Sequence, residues 1–197
     1  MAPRPQVGVL ALQGDVDEHL AALERAGALG IAVKTRASLD ACEALVVPGG
    51  ESTTVIRLLD RFALADPVRE RVRAGMPLWG TCMGMIVVSR AVAGLDQPTL
   101  GLLDVTVRRN AFGRQNDSAE VDLPIPVLGE PAFPAIFIRA PCIESAGQGV
   151  EVLATYGEHG VMVRQGNVLG TSFHPELTED PRIHRYFLGM LAPRPYP

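Results

Sequence analysis

Apolar positions in the first half of the chain fall into short continuous runs, each followed by a stretch in which they recur every three or four residues. Val7-Gly8-Val9-Leu10-Ala11-Leu12 is such a run and suits a strand buried on both faces. Gln13-Gly14-Asp15 then turns into a helix over Asp15–Ala26, with Val16, Leu20 and Leu23 at helical spacing and Gly27 as its stop. Ile31–Thr35 and Ala44–Val47 read as further strands, the latter ended by Pro48-Gly49-Gly50. Helices are expected from about Glu51-Ser52-Thr53-Thr54, carrying Val55, Leu58, Leu59 and Phe62, and over Asp66–Ala74. Pro77-Leu78-Trp79 is a strand ending at Gly80, followed by a helix over Cys82–Ala91.

The second half changes character. Leu103–Val107, Ala135–Ile138, Glu151–Tyr156, Val161–Arg164 and Val168–Phe173 are strand candidates, and Gln165-Gly166-Asn167 is a hairpin turn. Arg182–Leu191 is a closing helix, and the tail 192–197, with three prolines, is expected to be loose. Strands alternating with helices predict an α/β fold. We expect one domain over 1–197, built on a single mixed, mostly parallel sheet with helices on both faces, flavodoxin-like in class. In such sheets ligands bind beyond the carboxyl ends of the strands. Three turns lie there: Leu12-Gln13-Gly14, Val47-Pro48-Gly49-Gly50-Glu51 and Trp79-Gly80-Thr81-Cys82.

Composition narrows the function. With 197 residues and 47% hydrophobic content the chain can bury a sizeable core, and a net charge of −4 argues against a nucleic-acid scaffold. No apolar run approaches the roughly 20 residues of a membrane span, and no signal-peptide pattern opens the chain. Cys42, Cys82 and Cys142 are sparse, odd in number and without zinc spacing, so we expect no disulfide framework, no metal and a cytoplasmic setting. Lys34 is the only lysine beside 17 arginines, and no phosphate-binding P-loop is present.

Gly80-Thr81-Cys82-Met83-Gly84 is a G-x-C-x-G sequence between a strand and a helix, the counterpart of the G-x-S-x-G nucleophile elbow. Two readings of Cys82 are open on the residue type: a small buried hydrophobe or an activated thiol. The flanking glycines and the strand–turn–helix context favour the thiol. A thiol nucleophile needs a base and the base an orienting group. His19 falls mid-helix on an exposed or half-buried face, His159 in a turn, and His184 in the last helix; each reads as a surface or packing residue. His174 differs, because it ends a strand and precedes Pro175-Glu176. In an extended segment the i, i+2 spacing turns both side chains to one side, so Glu176 can hold His174 in one tautomer. Oxyanion donors are available in the backbone of Gly49 and Gly50 and at Met83 after the thiol; the plainer reading of the first is a helix start capped by Ser52 or Thr53. Arg139, a buried-looking arginine at a strand end, and Arg109 are candidates for a carboxylate clamp or for structural ion pairs.

Taken together, these residues resemble the glutaminase subunits of pyridoxal 5′-phosphate synthases, within the class I (triad) glutamine amidotransferases. The resemblance covers nearly the whole chain. It runs from Gly8–Gly14 through Pro48-Gly49-Gly50-Glu51-Ser52-Thr53-Thr54 and Gly80-Thr81-Cys82 to Arg109-Asn110-Ala111-Phe112-Gly113-Arg114-Gln115. Phe137-Ile138-Arg139-Ala140-Pro141 and Ser172-Phe173-His174-Pro175-Glu176-Leu177-Thr178 complete it. It implies Cys82 as nucleophile with His174 and Glu176, and L-glutamine held by Gly50, Glu51, Ser52, Arg109, Ile138 and Arg139. It implies no cofactor of its own. It also implies a barrel-shaped, oligomeric synthase subunit as partner, which takes the ammonia and activates a poorly active glutaminase, with Gln13 an element of that coupling. The chain departs from the family pattern at Cys142, often His there, and at Met83, usually Ala. Rival readings are a glutaminase of another pathway, disfavoured by the narrow motifs, and a non-catalytic binding module, disfavoured by the filled triad.

Overall fold

Strand residues alternate between two faces, and both faces are buried. Val7, Val9, Ala44, Val46 and Trp79 pack into one apolar cluster with Phe133, Phe173 and Phe187. Leu10, Leu45, Val47 and Leu78 pack into the other with Leu59, Met85 and Val107. This is the signature of a sheet covered on both sides. The computed structural model describes residues 3–110 and 118–191; Ala111–Gln115 of the arginine-rich segment and the 192–197 tail lie outside the described residues.

The strands are β1 (Gln6–Leu10), β2 (Leu29–Val33), β3 (Ala44–Val47), β4 (Leu78–Thr81), β5 (Ser89–Val92), β6 (Leu103–Arg108), β7 (Ser118–Leu123), β8 (Phe133–Ile138), β9 (Cys142–Ala146), β10 (Glu151–Tyr156), β11 (His159–Gln165) and β12 (Val168–Thr171). The helices are α1 (Val16–Ala26), α2 (Arg36–Asp40), α3 (Ser52–Arg61), α4 (Ala65–Arg73), α5 (Met83–Val88) and α6 (Arg182–Leu188). The main sheet runs β2-β1-β3-β4-β12-β11-β9-β6-β5, with β10 against β11. The block β2-β1-β3-β4-β12 is parallel throughout. Beyond β12 the pairings β12–β11, β11–β9 and β9–β6 are antiparallel, and β5–β6 is again parallel. The expected mixed α/β sheet is therefore present, and β7 and β8 add a separate two-stranded antiparallel sheet.

Several boundaries differ from expectation for local reasons. The helix expected over Cys82–Ala91 stops at Val88. Ser89 turns extended, its hydroxyl donates to the Ile86 carbonyl at 2.8 Å, and Ser89–Val92 becomes a strand beside β6. The last strand ends at Thr171, and a 3₁₀ turn over Pro175–Leu177 replaces the extended segment expected after His174. Neither Ser52 nor Thr53 caps α3. The cap is Glu51, whose carboxylate accepts from the Thr53 N–H at 3.4 Å and from the Thr53 hydroxyl at 3.1 Å.

Candidate active site

Cys82 sits between β4 and α5 with φ 49° and ψ −114°, a backbone conformation that costs a non-glycine residue about 1–3 kcal/mol. Two neighbours make the turn possible. A β-carbon on Gly80 would lie 2.5 Å from the Gly84 carbonyl oxygen, and one on Gly84 would lie 2.0 Å from the carbonyl oxygen of Val47. Both must therefore lack a side chain for β4, α5 and β3 to close together. The Cys82 thiol is buried, and its sulfur lies 3.6 Å from the Ile138 carbonyl oxygen at the end of β8.

His174 reaches Cys82 from β12, the strand beside β4. Its backbone N–H donates to the Ile136 carbonyl at 2.8 Å, which ties the start of the 3₁₀ turn to β8. The turn folds Glu176 back, so its Oε1 lies 2.7 Å from His174 Nδ1. The contact expected from i, i+2 spacing is present, made by a turn and not by an extended strand. Burial alone would lower the pKa of His174. Hydrogen bonds to Cys82 and Glu176 outweigh it and raise the pKa to about 10, so the ring carries its proton at neutral pH. Burial would raise Glu176, but His19 and the hydrogen bond from His174 bring it below the usual carboxylate range. This arrangement can ionise a thiol and hold the base in one tautomer.

The glycine turn closes the other side. Gly49 packs against the His174 ring, where a β-carbon would lie 2.8 Å from Cε1. Gly50 has φ +145°, outside the range of L side chains, and a β-carbon there would lie 2.7 Å from Gln13 Oε1. That same oxygen accepts the Glu51 N–H at 2.7 Å, pinning the turn to the tip of β1. A cavity of about 300 Å³ is bounded by Gly50, Glu51, Cys82, Met83, Ile138, Arg139 and His174, together with Gln13 and Asp15. Arg139 was expected to be buried; it is exposed, in a left-handed conformation (φ 44°) just past β8. Ser52 and Arg109 do not line this cavity. Ser52 is buried and accepts from Gln97 Nε2 at 3.0 Å; Arg109 donates to Glu51 Oε1 at 3.3 Å and to Gln97 Oε1 at 3.4 Å. Arg109 and Gln97 instead border a neighbouring cavity of about 480 Å³.

Three further residues belong to this surrounding. Gln97 links Ser52 to Arg109. Asp15 makes no capping bond for α1; its carboxylate lies 3.5 Å from His174 Nδ1, and burial raises its pKa. His19 is fully buried, not on an exposed or half-buried face. Positions 16, 19, 20 and 23 form one helical stripe, so the apolar periodicity that placed Val16, Leu20 and Leu23 inward placed His19 with them. His159 begins β11 and does not sit in a turn. The ligand atoms of Asp15, His174 and Glu176 lie within 4.8 Å of one another and could hold a metal ion; of the three, His174 and Glu176 are hydrogen-bonded to each other and Asp15 lies 3.5 Å from His174 Nδ1. No helix among the described residues is long and apolar enough to cross a membrane.

His184 is fully buried against Trp79, with ring centroids 5.0 Å apart, and neither nitrogen has a hydrogen-bond partner. Burial pushes its pKa down to about 3, against about 6.5 in an unfolded chain. Above pH ~6.5 neither state holds the proton; between there and about 3 the unfolded chain binds it and the folded chain does not. Stability should therefore fall by about 1.4 kcal/mol per pH unit on this account as pH drops through that window. His184→Phe should flatten the slope by about one proton in urea titrations at pH 7, 6, 5 and 4; an unchanged slope would contradict it.

Known proteins resemble this chain over most of its length. Residues 9–192 match the SNO glutamine amidotransferase family. The chain is 52% identical over 187 residues to the pyridoxal 5'-phosphate synthase subunit PdxT of Moorella thermoacetica, covering 95% of this chain and 100% of that protein. It is 54% identical over 202 residues to the subunit of the same name from Kineococcus radiotolerans, covering 98% of each. A crystal structure of a glutamine amidotransferase superposes with a TM-score of 0.89 at 52% identity, covering 94% of this chain and 98% of that one. The fold alone is shared with PurLQS from Thermotoga maritima, at a TM-score of 0.71 and 20% identity, covering 96% of this chain and 100% of that one. With the family match spanning most of its length, this chain belongs to the SNO glutamine amidotransferase family.

Proposed function

We propose that the chain hydrolyses L-glutamine to L-glutamate and ammonia and passes the ammonia to the synthase subunit of a pyridoxal 5′-phosphate synthase. The observation that carries this is Cys82 on a strained elbow, coupled to His174, whose Nδ1 lies 2.7 Å from the Glu176 carboxylate, at the floor of one cavity. The relatives' shared name as synthase subunits supports the partner.

In this reading the Cys82 thiolate attacks the side-chain amide carbon, forming a C–S bond and placing charge on the amide oxygen. Backbone N–H groups at Gly49, Gly50 and Met83 receive that charge. The C–N bond breaks as His174 gives its proton to the departing nitrogen, and ammonia leaves. Water then attacks the thioester, His174 takes its proton, glutamate departs and the thiol is restored. Glu176 keeps His174 oriented throughout. Gly50, Glu51, Ser52, Arg109, Ile138 and Arg139 hold glutamine; the ion pair from Arg109 to Glu51 and the Gln97 bridge to Ser52 support their acting as one unit. Gln13 couples the partner to the glycine turn, a role supported by its bond to the Glu51 N–H. The partner is a barrel-shaped, oligomeric subunit, the reaction is cytoplasmic, and the chain needs no cofactor, nucleic acid or membrane.

The test is glutamate release by the purified chain, alone and with a synthase subunit of this family. Strong stimulation by the partner is expected, and equal rates with and without it would remove the coupling. His174→Gln should lower the stimulated kcat by about 10²–10⁴-fold with the chain still folded. Turnover like the wild type would remove His174 from the mechanism.

A further inference from the structure

We propose that His19 is a positioning residue for the triad. It holds one oxygen of the Glu176 carboxylate through its Nε2–H and thereby keeps the other oxygen aimed at His174. This rests on the glutaminase reading above.

The ring lies in the middle of α1 and is fully buried. Its Nε2 is 3.4 Å from Glu176 Oε2 and 3.1 Å from the hydroxyl oxygen of Thr81, the residue before Cys82. One imidazole therefore spans the strand that carries the thiol and the turn that carries the carboxylate. Oε2 of Glu176 is buried and makes no hydrogen bond among the described residues, with His19 Nε2 facing it at 3.4 Å, whereas Oε1 receives the His174 Nδ1–H. His19 Nδ1 is likewise buried and unpartnered. The ring's proton consequently belongs on Nε2, where two acceptors wait. On Nδ1 it would be an orphaned buried donor, and an imidazole lone pair would face a carboxylate. A carboxylate bonded at one oxygen can rotate about its last torsion. Bonded at both, its plane is fixed, and so is the tautomer of the base it orients.

The groups that face His19 are Glu176 and His174 beyond α1, Asp15 and Glu18 next to it in sequence, and the neutral His184 at 6.1 Å; Trp79 packs edge-on at 6.0 Å. Burial is the largest influence and lowers the pKa of His19, which leaves it an uncharged donor. A charged His19 would compete with the His174 imidazolium for the same carboxylate.

Two variants separate positioning from packing. His19→Gln places an amide N–H near the Nε2 position; His19→Phe keeps the ring volume without a donor, and His19→Met serves if the Phe variant fails to fold. The first readout needs no substrate: the pH profile of Cys82 alkylation by iodoacetamide on the full chain, located by peptide mass spectrometry. His19→Phe should raise the apparent pKa of that profile by about one unit or more, and His19→Gln should return most of the shift. The second readout is glutamate release with the synthase subunit present. His19→Phe should lose about tenfold or more in kcat with KM within about twofold, and His19→Gln should recover most of it. An unchanged alkylation profile in a folded His19→Phe, or equal impairment in the Gln and Phe variants, would overturn the proposal and leave His19 as packing. If the wild type releases no glutamate with the partner, the glutaminase reading fails while the alkylation profiles still decide on His19.

Discussion

Cys82→Ala abolishes glutamine hydrolysis and leaves the chain folded: that is the largest effect expected of any substitution here. Loss of a triad nucleophile costs about 10⁴–10⁶-fold in kcat. Alanine keeps the β-carbon and so the same backbone strain at φ 49°, and the thermal midpoint should stay within about 2 °C. Neither of the other thiols can substitute. Burial pushes the Cys42 thiol up to about 11 and raises that of Cys142, so both stay protonated and inert at neutral pH. A coupled glutamate assay with the synthase subunit, run beside thermal denaturation, checks both halves. Residual turnover within a hundredfold of wild type would put the nucleophile elsewhere.

Gly84→Ala should produce a large loss of stability. The added β-carbon would lie 2.0 Å from the Val47 carbonyl oxygen and 2.9 Å from that of Pro48, and both neighbours are backbone that cannot rotate aside. Overpacking of this kind costs about 3 kcal/mol or more, or about 6–12 °C in the thermal midpoint for a chain of this size. Gly160→Ala is the control: its β-carbon would meet Ile143 and Val152 at 3.4–3.5 Å, ordinary contact distances, and should cost less than about 1 kcal/mol. If the two variants melted together, the close approach of α5 to β3 would not be what requires glycine at the elbow.

The fold was most legible where the chain obeys one rule at a time. Ala44–Val47 is both continuously apolar and closed by Pro48-Gly49-Gly50, and it begins and ends where expected. Strand β7 carried a readable signal that was passed over: Ser-Ala-Glu-Val-Asp-Leu alternates polar and apolar at period two. Strands β5 and β9 are different, since both are short and their pairing with β6 is broken by register shifts. Their partners, not their own residues, decide their conformation. Within the site, Cys82, His174 and Glu176 stood out because G-x-C-x-G and His-Pro-Glu are local patterns. Asp15 and Gln97 did not, because each acts through residues distant in the chain. The pairings of Gln97 span 45 and 12 positions, and Asp15 meets His174 only because α1 starts beside the 3₁₀ turn.

Parallel pairing of β4 with β12 has a consequence for how such a chain can change over time. Thr81 stands opposite Thr171, and the Trp79 indole N–H donates to the Thr171 hydroxyl at 3.1 Å across 92 positions of sequence. The distance from thiol to imidazole is therefore a property of one ladder of backbone hydrogen bonds, one step past its end on one strand and three on the other. Most of the intervening chain stands outside that ladder, and β8 alone touches both ends of it, through the Ile136 carbonyl to the His174 N–H and the Ile138 carbonyl beside the Cys82 sulfur. A slip of one residue between these two strands, by contrast, would displace the base by about 3.3 Å and turn every side chain of the slipped strand to the opposite face. The spacing on which this reaction depends thus rests on two four-residue strands, β4 and β12.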